Sequence, residues 1–187
     1  SILIGSVISS TDAASVFNVL RSKKLALKFH TDSLLELESG SNDPISYLLT
    51  IVMISLLLGR DISVPVILAK QLLFGVGCGL LIGKLALILL NQVNFQVMQA
   101  RTIFLFSVAI IAYALPSVIG GNGFLSVYIC GIFMGNSYIP QKKDMVHFFD
   151  VLTEIAQMVI FFLLGLLVTP VQLPSVFIPA LLVMIFL

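Results

Sequence analysis

Residues 63–90 read SVPVILAKQLLFGVGCGLLIGKLALILL, an apolar run whose charged side chains are Lys70 and Lys84. A helix of about 20 mostly apolar residues crosses the hydrocarbon core of a bilayer, so this run is long enough to span a membrane with some tilt. Each lysine lies near one end of the run, where its stem can stay in lipid while its ammonium group reaches the headgroups. The stretch therefore predicts a transmembrane helix.

The composition of the whole chain fits a membrane protein. Of its 187 residues, 59% are hydrophobic and 10% are charged, whereas soluble domains carry about 25% charged residues. This excludes a water-soluble globular fold and a disordered chain. Ten basic residues against nine acidic ones leave no basic surface for nucleic acid. We therefore predict an all-α, polytopic bundle of transmembrane helices in the lipid bilayer.

About seven membrane-spanning segments can be laid along the chain. We place them at about 1–20, 34–58, 63–90, 101–119, 124–138, 150–168 and from 174 onward. The loops on one side hold most of the basic residues, and that side is expected to be cytoplasmic; it receives Arg21, Lys23, Lys24, Lys28, Arg101, Lys142 and Lys143. Neither end carries a polar flank, so we expect residues 1–187 to be one membrane domain, truncated at both ends.

Glycines recur at helical spacing in two of these segments. Gly75, Gly79 and Gly83 line one face of the third segment, and Gly131 and Gly135 repeat the pattern in the fifth. Small residues at this spacing let two helix backbones approach closely in lipid. No strand precedes the first set, which argues against a dinucleotide-binding loop. We predict helix-packing faces, one of which could serve a dimer.

Carboxylates stand at membrane depth in the first two segments. Asp12 falls about midway along the first, and Asp43 lies a third to halfway into the second, with Glu38 about one turn nearer the cytoplasm. An ionisable group there is costly unless it meets a partner, an ion or water. Pro44 leaves the carbonyl of Gly40 without its helical donor, and freed carbonyls and hydroxyls are ligands for alkali cations. A buried hydrogen-bond network between helices is the plainer alternative for Asp12.

Two such carboxylates on consecutive antiparallel helices can meet near the middle of the membrane. Burial and a neighbouring like charge both raise the pKa of a carboxylate, so a group of this kind can hold a proton near neutral pH until a cation displaces it. Competition at one buried carboxylate is sufficient for cation/proton exchange. A cation channel of related architecture stays open as an alternative. An intramembrane aspartyl protease would present Tyr-Asp and Gly-x-Gly-Asp, which Thr11-Asp12 and Asn42-Asp43 do not match.

Four stretches resemble one family. Gly5-Ser6 followed by Ser10-Thr11-Asp12-Ala13-Ala14-Ser15-Val16-Phe17 resembles the broken-helix Thr-Asp motif of NhaP-type cation:proton antiporters. Glu38-Ser39-Gly40-Ser41-Asn42-Asp43-Pro44 resembles their ion-site motif, in the form of the bacterial potassium/proton branch. Residues 123–136 and 162–170 fit the same branch. The resemblance covers the chain from end to end.

The resemblance implies a fold and an activity. The chain would be part of an inverted-repeat antiporter fold, with a helix broken near Thr11-Asp12, that exchanges a monovalent cation for protons. Potassium is favoured and sodium is possible. The protein would be a transporter rather than an enzyme, without a cofactor or a transition-metal site, and a homodimer in the bacterial inner membrane. Residues 1–187 would then be a membrane transport domain.

The resemblance also implies roles for single residues. Asp43 would be the carboxylate that is alternately protonated and cation-bound, with Ser39 and the main-chain carbonyl of Thr11 as ligands. Asp12 would complete the site directly or through water. Asn42 would orient the site and mark a one-for-one, electroneutral exchange. Glu38 would pair with an arginine on a later helix, for which Arg21, Arg60 and Arg101 are not suitably placed.

Overall fold

The computed structural model describes residues 2–10, 31–59, 63–93, 97–140, 142–169 and 173–186. The regular elements within those ranges are all α-helices, as predicted. They are α1 (Ile2–Ile8), α2 (Thr31–Leu57), α3 (Val64–Gln92), α4 (Met98–Val118), α5 (Gly123–Gly135), α6 (Lys142–Leu167) and α7 (Leu173–Phe186). The structure therefore confirms an all-α helical bundle.

Three helices are long and apolar enough to cross a membrane by length and composition, namely Val64–Gln92, Gln99–Val118 and Lys142–Leu167. The apolar helix α5 is shorter. Helix α2 covers the second predicted segment, but the polar side chains of its first half lower its mean hydropathy. Together these helices confirm a multi-pass membrane protein.

The start of α6 differs from the sequence prediction. We expected a charged loop up to residue 149, whereas the helix already begins at Lys142. Asp144 lies in its first turn, where a negative charge interacts favourably with the helix dipole. The helix therefore extends about two turns beyond the apolar segment, through charged residues. Hydropathy does not predict these turns, because it identifies only the apolar part of a helix.

The glycine face of α3 packs against α5. A Cβ atom on Gly75 would lie 3.1 Å from the carbonyl oxygen of Asn122, and one on Gly79 would lie 2.6 Å from that of Ser126. A Cβ on Gly83 would meet Phe133 and Cys130 further along α5. The two helices therefore run parallel, in contact through the predicted small residues.

The second glycine face has a different environment. Cβ atoms on Gly131 and Gly135 would meet nothing within 4 Å in the part of the chain that the structure describes. The use of this face for packing or for a dimer stays a prediction.

The buried core of residues 1–139 lies between α3, α4 and α5. One cluster of buried apolar side chains there consists of Ile82, Ala86, Val108, Ala112 and Cys130, and Leu48 and Val52 of α2 are buried as well. Helix α2 packs most extensively on α1, and it also contacts α5 and α3. Near the middle of α2, Asp43 contacts Ser10, which follows α1, and Pro44 contacts Asn122, which caps α5.

Residues 140–187 form a second compact unit that contains α6 and α7. Large apolar side chains of both helices are exposed, among them Phe161, Phe162 and Leu166 of α6 and Phe177 and Ile178 of α7. Apolar surface on this scale marks a membrane or protein contact rather than a face in water.

Candidate functional site

Asp43 stands in the polar half of α2, one helical turn after Ser39 and directly before Pro44. Ser39 is 2% exposed and Pro44 is buried, whereas the side chain of Asp43 is exposed in the described part of the chain. We predicted a buried carboxylate, and its burial in the membrane stays a prediction. Among the described residues, α1 and α5 cover neighbouring positions of α2, and Asp43 lines two grooves.

The two grooves flank Asp43 on either side. The larger has a volume of about 580 Å³ and is lined by Gly40, Asp43, Pro44, Ala109, Ile110, Tyr113, Phe124, Val127 and Tyr128. The smaller, of about 340 Å³, is lined by Val7, Ser10, Asp43, Ser46, Tyr47, Thr50 and Phe124. Asp43 is the acidic residue common to both, so an ion in either groove can reach its carboxylate.

A hydroxyl group from the first segment meets this carboxylate. Ser10 follows the end of α1, and its hydroxyl donates a hydrogen bond to Oδ1 of Asp43. Helix α1 itself ends at Ile8. Thr11 and Asp12 lie outside the described residues, so the predicted helix break and their role in the site stay predictions. What the structure establishes is that the polypeptide leading into Thr11-Asp12 touches Asp43.

Hydroxyl groups also hold α1 on α2 beside the site. The hydroxyl of Ser46 donates to the carbonyl oxygen of Ser6 at 2.5 Å. Thr50 donates to the carbonyl oxygen of Ser46 at 2.8 Å, and its Oγ1 lies 3.4 Å from Oγ of Ser6. We had not predicted Ser46 and Thr50. The signal was their spacing, because positions 39, 43, 46 and 50 fall on one face of a helix.

Asn122 is the other residue that sequence reasoning missed. It is 0% exposed, and its Nδ2 donates to the carbonyl oxygen of Pro44 at 2.9 Å. Its Oδ1 accepts from the backbone N–H of Leu125 at 3.1 Å and so caps α5. An Asn directly before an apolar run is a helix-start signal, but that signal does not predict the contact with α2.

Gly40 has a packing role, and the free carbonyl that we predicted at this position stays a prediction. A Cβ atom at this position would lie 2.8 Å from Cε2 of Tyr128, so the absence of a side chain lets α5 approach α2. The hydroxyl of Tyr128 donates to the carbonyl oxygen of Leu37 at 3.1 Å. Helix α5 thus contacts α2 on both sides of Gly40.

The remaining predicted site residues take different positions. Asn42 is partly buried next to Asp43, and Glu38 is exposed one residue before Ser39. Among the described side chains, no group of three or more His, Cys, Asp and Glu residues comes together in a way that could hold a metal ion. The contact that the structure gives the Asp43 carboxylate is the hydroxyl of Ser10, and oxygen groups of this kind are possible ligands for hard monovalent cations.

Comparison with known proteins gives matches along the whole chain. The family model for the sodium/hydrogen exchanger, transmembrane, matches residues 1–187. The K(+)/H(+) antiporter NhaP of Alkalimonas amylolytica is 37% identical over 185 residues, covering 96% of this chain and 32% of that protein. The K(+)/H(+) antiporter NhaP2 of Shewanella oneidensis is 35% identical over 189 residues, with the same two coverages.

A more distant relative comes from an archaeon. The "Probable Na(+)/H(+) antiporter 2" of Methanocaldococcus jannaschii is 28% identical over 176 residues, covering 88% of this chain and 41% of that protein. The chain thus spans about a third of the length of the first two relatives. No solved structure matches it.

Proposed function

Because this chain belongs to the sodium/hydrogen exchanger family, we propose that it forms part of the transport domain of a secondary transporter that exchanges a monovalent cation for protons. The observation that carries the proposal is the position of Asp43, a carboxylate among membrane helices that opens into two grooves and accepts a hydrogen bond from Ser10. The relatives are named antiporters, which are transporters, so the protease alternative receives no support.

The exchange rests on competition at Asp43. A proton neutralises the carboxylate, and a cation brought alongside favours its charged form and displaces that proton. The grooves would give both ions access to the carboxylate, while Ser39 and Pro44 of the same helix are buried. A cation at Asp43 would also meet the hydroxyl oxygen of Ser10.

Further ligands follow from the resemblance to NhaP-type antiporters. Ser39 and the main-chain carbonyl of Thr11 would contact the cation, and Asp12 would complete the site directly or through water. Asn42 would orient the ligands and keep the exchange one-for-one. Glu38 is exposed on the described part of α2, and its arginine partner would come from elsewhere in a longer polypeptide.

Potassium is the substrate that we favour, since the relatives from Alkalimonas amylolytica and Shewanella oneidensis, at 37% and 35% identity, carry the name K(+)/H(+) antiporter. Sodium is the second candidate, since the archaeal relative is named for it. The bacterial sources of the first two relatives support a place in a bacterial inner membrane. We further propose that the chain functions within a longer, homodimeric protein.

Replacing Asp43 by Asn tests this function, because the amide keeps the shape of the side chain and cannot exchange a proton for a cation. The full-length protein containing this chain is reconstituted in proteoliposomes with an acidic interior and equal potassium on both sides. We expect the wild type to accumulate the potassium analogue ⁸⁶Rb⁺ as protons leave, and Asp43→Asn to lose this uptake entirely. Sodium in place of potassium identifies the preferred ion.

The matched control is Asp144→Asn, which removes an exposed carboxylate from the first turn of α6. This variant should transport as the wild type does. Uphill uptake that persists in Asp43→Asn would refute the site. A wild type that only lets ⁸⁶Rb⁺ equilibrate, without coupling to protons, would show a channel instead of an exchanger.

A further inference from the structure

Asn122 joins three helices from a fully buried position. Its Nδ2 donates to the carbonyl oxygen of Pro44 in α2, and its backbone N–H donates to the carbonyl oxygen of Gln71 in α3 at 3.3 Å. Its Oδ1 caps α5 by accepting from the N–H of Leu125. A buried amide side chain is costly without partners, and here donor and acceptor groups are both used.

The contact with α2 falls at the weakest turn of that helix. Pro44 has no N–H, so it cannot donate to the carbonyl of Gly40, and a proline inside a helix allows it to bend at this turn. The bend would move Asp43, which directly precedes Pro44. The geometry of the carboxylate therefore depends on contacts that hold α2 from outside the helix.

Helix α5 provides these contacts. Tyr128 lies against the bare Cα of Gly40 and donates its hydroxyl to the carbonyl oxygen of Leu37, and Asn122 holds the carbonyl of Pro44. Tyr128 of α5 and its cap residue Asn122 therefore support α2 from Leu37, six residues before Asp43, to Pro44 directly after it. Both act on main-chain oxygens, which no substitution within α2 would remove.

We propose that Asn122 is a positioning residue for the Asp43 site, and that its bond to Pro44 fixes where the carboxylate stands relative to Ser10. The inference rests on the proposed function and adds a residue from a third helix to it. Asn122 touches neither ion. It acts through the main chain of α2, so its loss changes how well the site binds its cation rather than whether Asp43 can be protonated.

The two roles of Asn122 can be separated by substitution. Serine is a good helix cap, so Asn122→Ser keeps an acceptor for the first turn of α5, but its side chain is too short to reach Pro44. We expect the full-length Asn122→Ser protein to insert normally and to show an apparent KM for potassium about fivefold higher, the worth of one hydrogen bond. Its kcat per molecule should change less.

The matched control is Asn136→Ser at the other end of α5. Asn136 is exposed, and its Nδ2 donates to the carbonyl oxygen of Ile132 within the same helix at 2.9 Å. This variant should keep the wild-type KM. A purely structural role for Asn122 would reduce the number of active molecules, and with it the maximal rate, while leaving the KM of the surviving molecules unchanged.

If Asn122→Ser does not accumulate in the membrane, a second variant tests whether contacts from α5 position Asp43. Tyr128→Phe keeps the ring on Gly40 and removes only the bond to Leu37, so it should raise the KM in the same direction by a smaller factor. Wild-type KM values in the variants that insert would overturn the proposal. Failure of the proposed function is distinct, because it would appear as a wild type without exchange or an active Asp43→Asn.

Discussion

Ser10 and Asp43 are separated by 33 positions in sequence and are joined by one hydrogen bond. In the proposed site, the Ser10 hydroxyl would orient the carboxylate in the absence of the cation and would supply a neutral ligand once the cation has bound. Spacing arguments along a single helix do not reveal this pair, since the two residues come from different segments. Ser10 contacts Asp43, while the site role of the Thr11-Asp12 motif stays a prediction.

Removing the Ser10 hydroxyl tests this pairing at the scale of one residue. We expect Ser10→Ala to raise the apparent KM for potassium about tenfold, because a hydrogen bond or ligand contact to a charged group contributes about 1.5–3 kcal/mol. Steady-state exchange rates against potassium concentration in proteoliposomes measure the change.

Ser107→Ala is the control for Ser10→Ala. Ser107 donates its hydroxyl to the carbonyl oxygen of Ile103 within α4 and lines neither groove. A KM that is unchanged in Ser10→Ala, or one that rises equally in both variants, would contradict a specific contact with Asp43.

Among the helices, α3 was the most predictable. The apolar run at 63–90 became Val64–Gln92, and its glycines pack against α5 as their spacing predicted. The hydrogen-bonded contact between α1 and α2 was less predictable. Helical spacing places Ser46 and Thr50 on one face with Asp43. Their contact with Ser6 depends on where α1 packs against α2, and helical spacing does not predict the position of a neighbouring helix.

The glycine face offers a prediction at the scale of the element. Gly79→Ala adds a methyl group that would lie 2.6 Å from the backbone of α5, so α3 and α5 must separate, at a cost of about 1–3 kcal/mol. We expect a lower melting temperature for the detergent-purified protein. It is measured by heating samples and recording, by size-exclusion chromatography, how much protein remains folded.

Gly77→Ala provides the comparison on the same helix. A methyl group at Gly77 would meet no described atom within 4 Å, so the melting temperature should match that of the wild type or rise slightly, since alanine favours a helix. Equal melting temperatures for the Gly79 and Gly77 variants would mean that α3 does not approach α5 through this face.

For the whole molecule, composition and four motifs were enough to predict an all-α membrane protein of the exchanger family. They did not predict which helices cover α2 around Asp43, because hydropathy describes each helix alone. Asn122 illustrates the same limit: its cap could be anticipated from sequence, whereas its bond to Pro44 links positions 78 residues apart. The contributions of Thr11 and Asp12 lie outside the described residues and stay predictions.

The central claim is that cation and proton compete for Asp43, and proton release on cation binding tests it most directly. Potassium is added to the purified full-length protein in weakly buffered solution, and a pH-sensitive dye records the protons released. We predict release from the wild type and from Asp144→Asn, and none from Asp43→Asn. Undiminished release from Asp43→Asn would contradict the claim, as would a wild type that binds potassium without releasing protons.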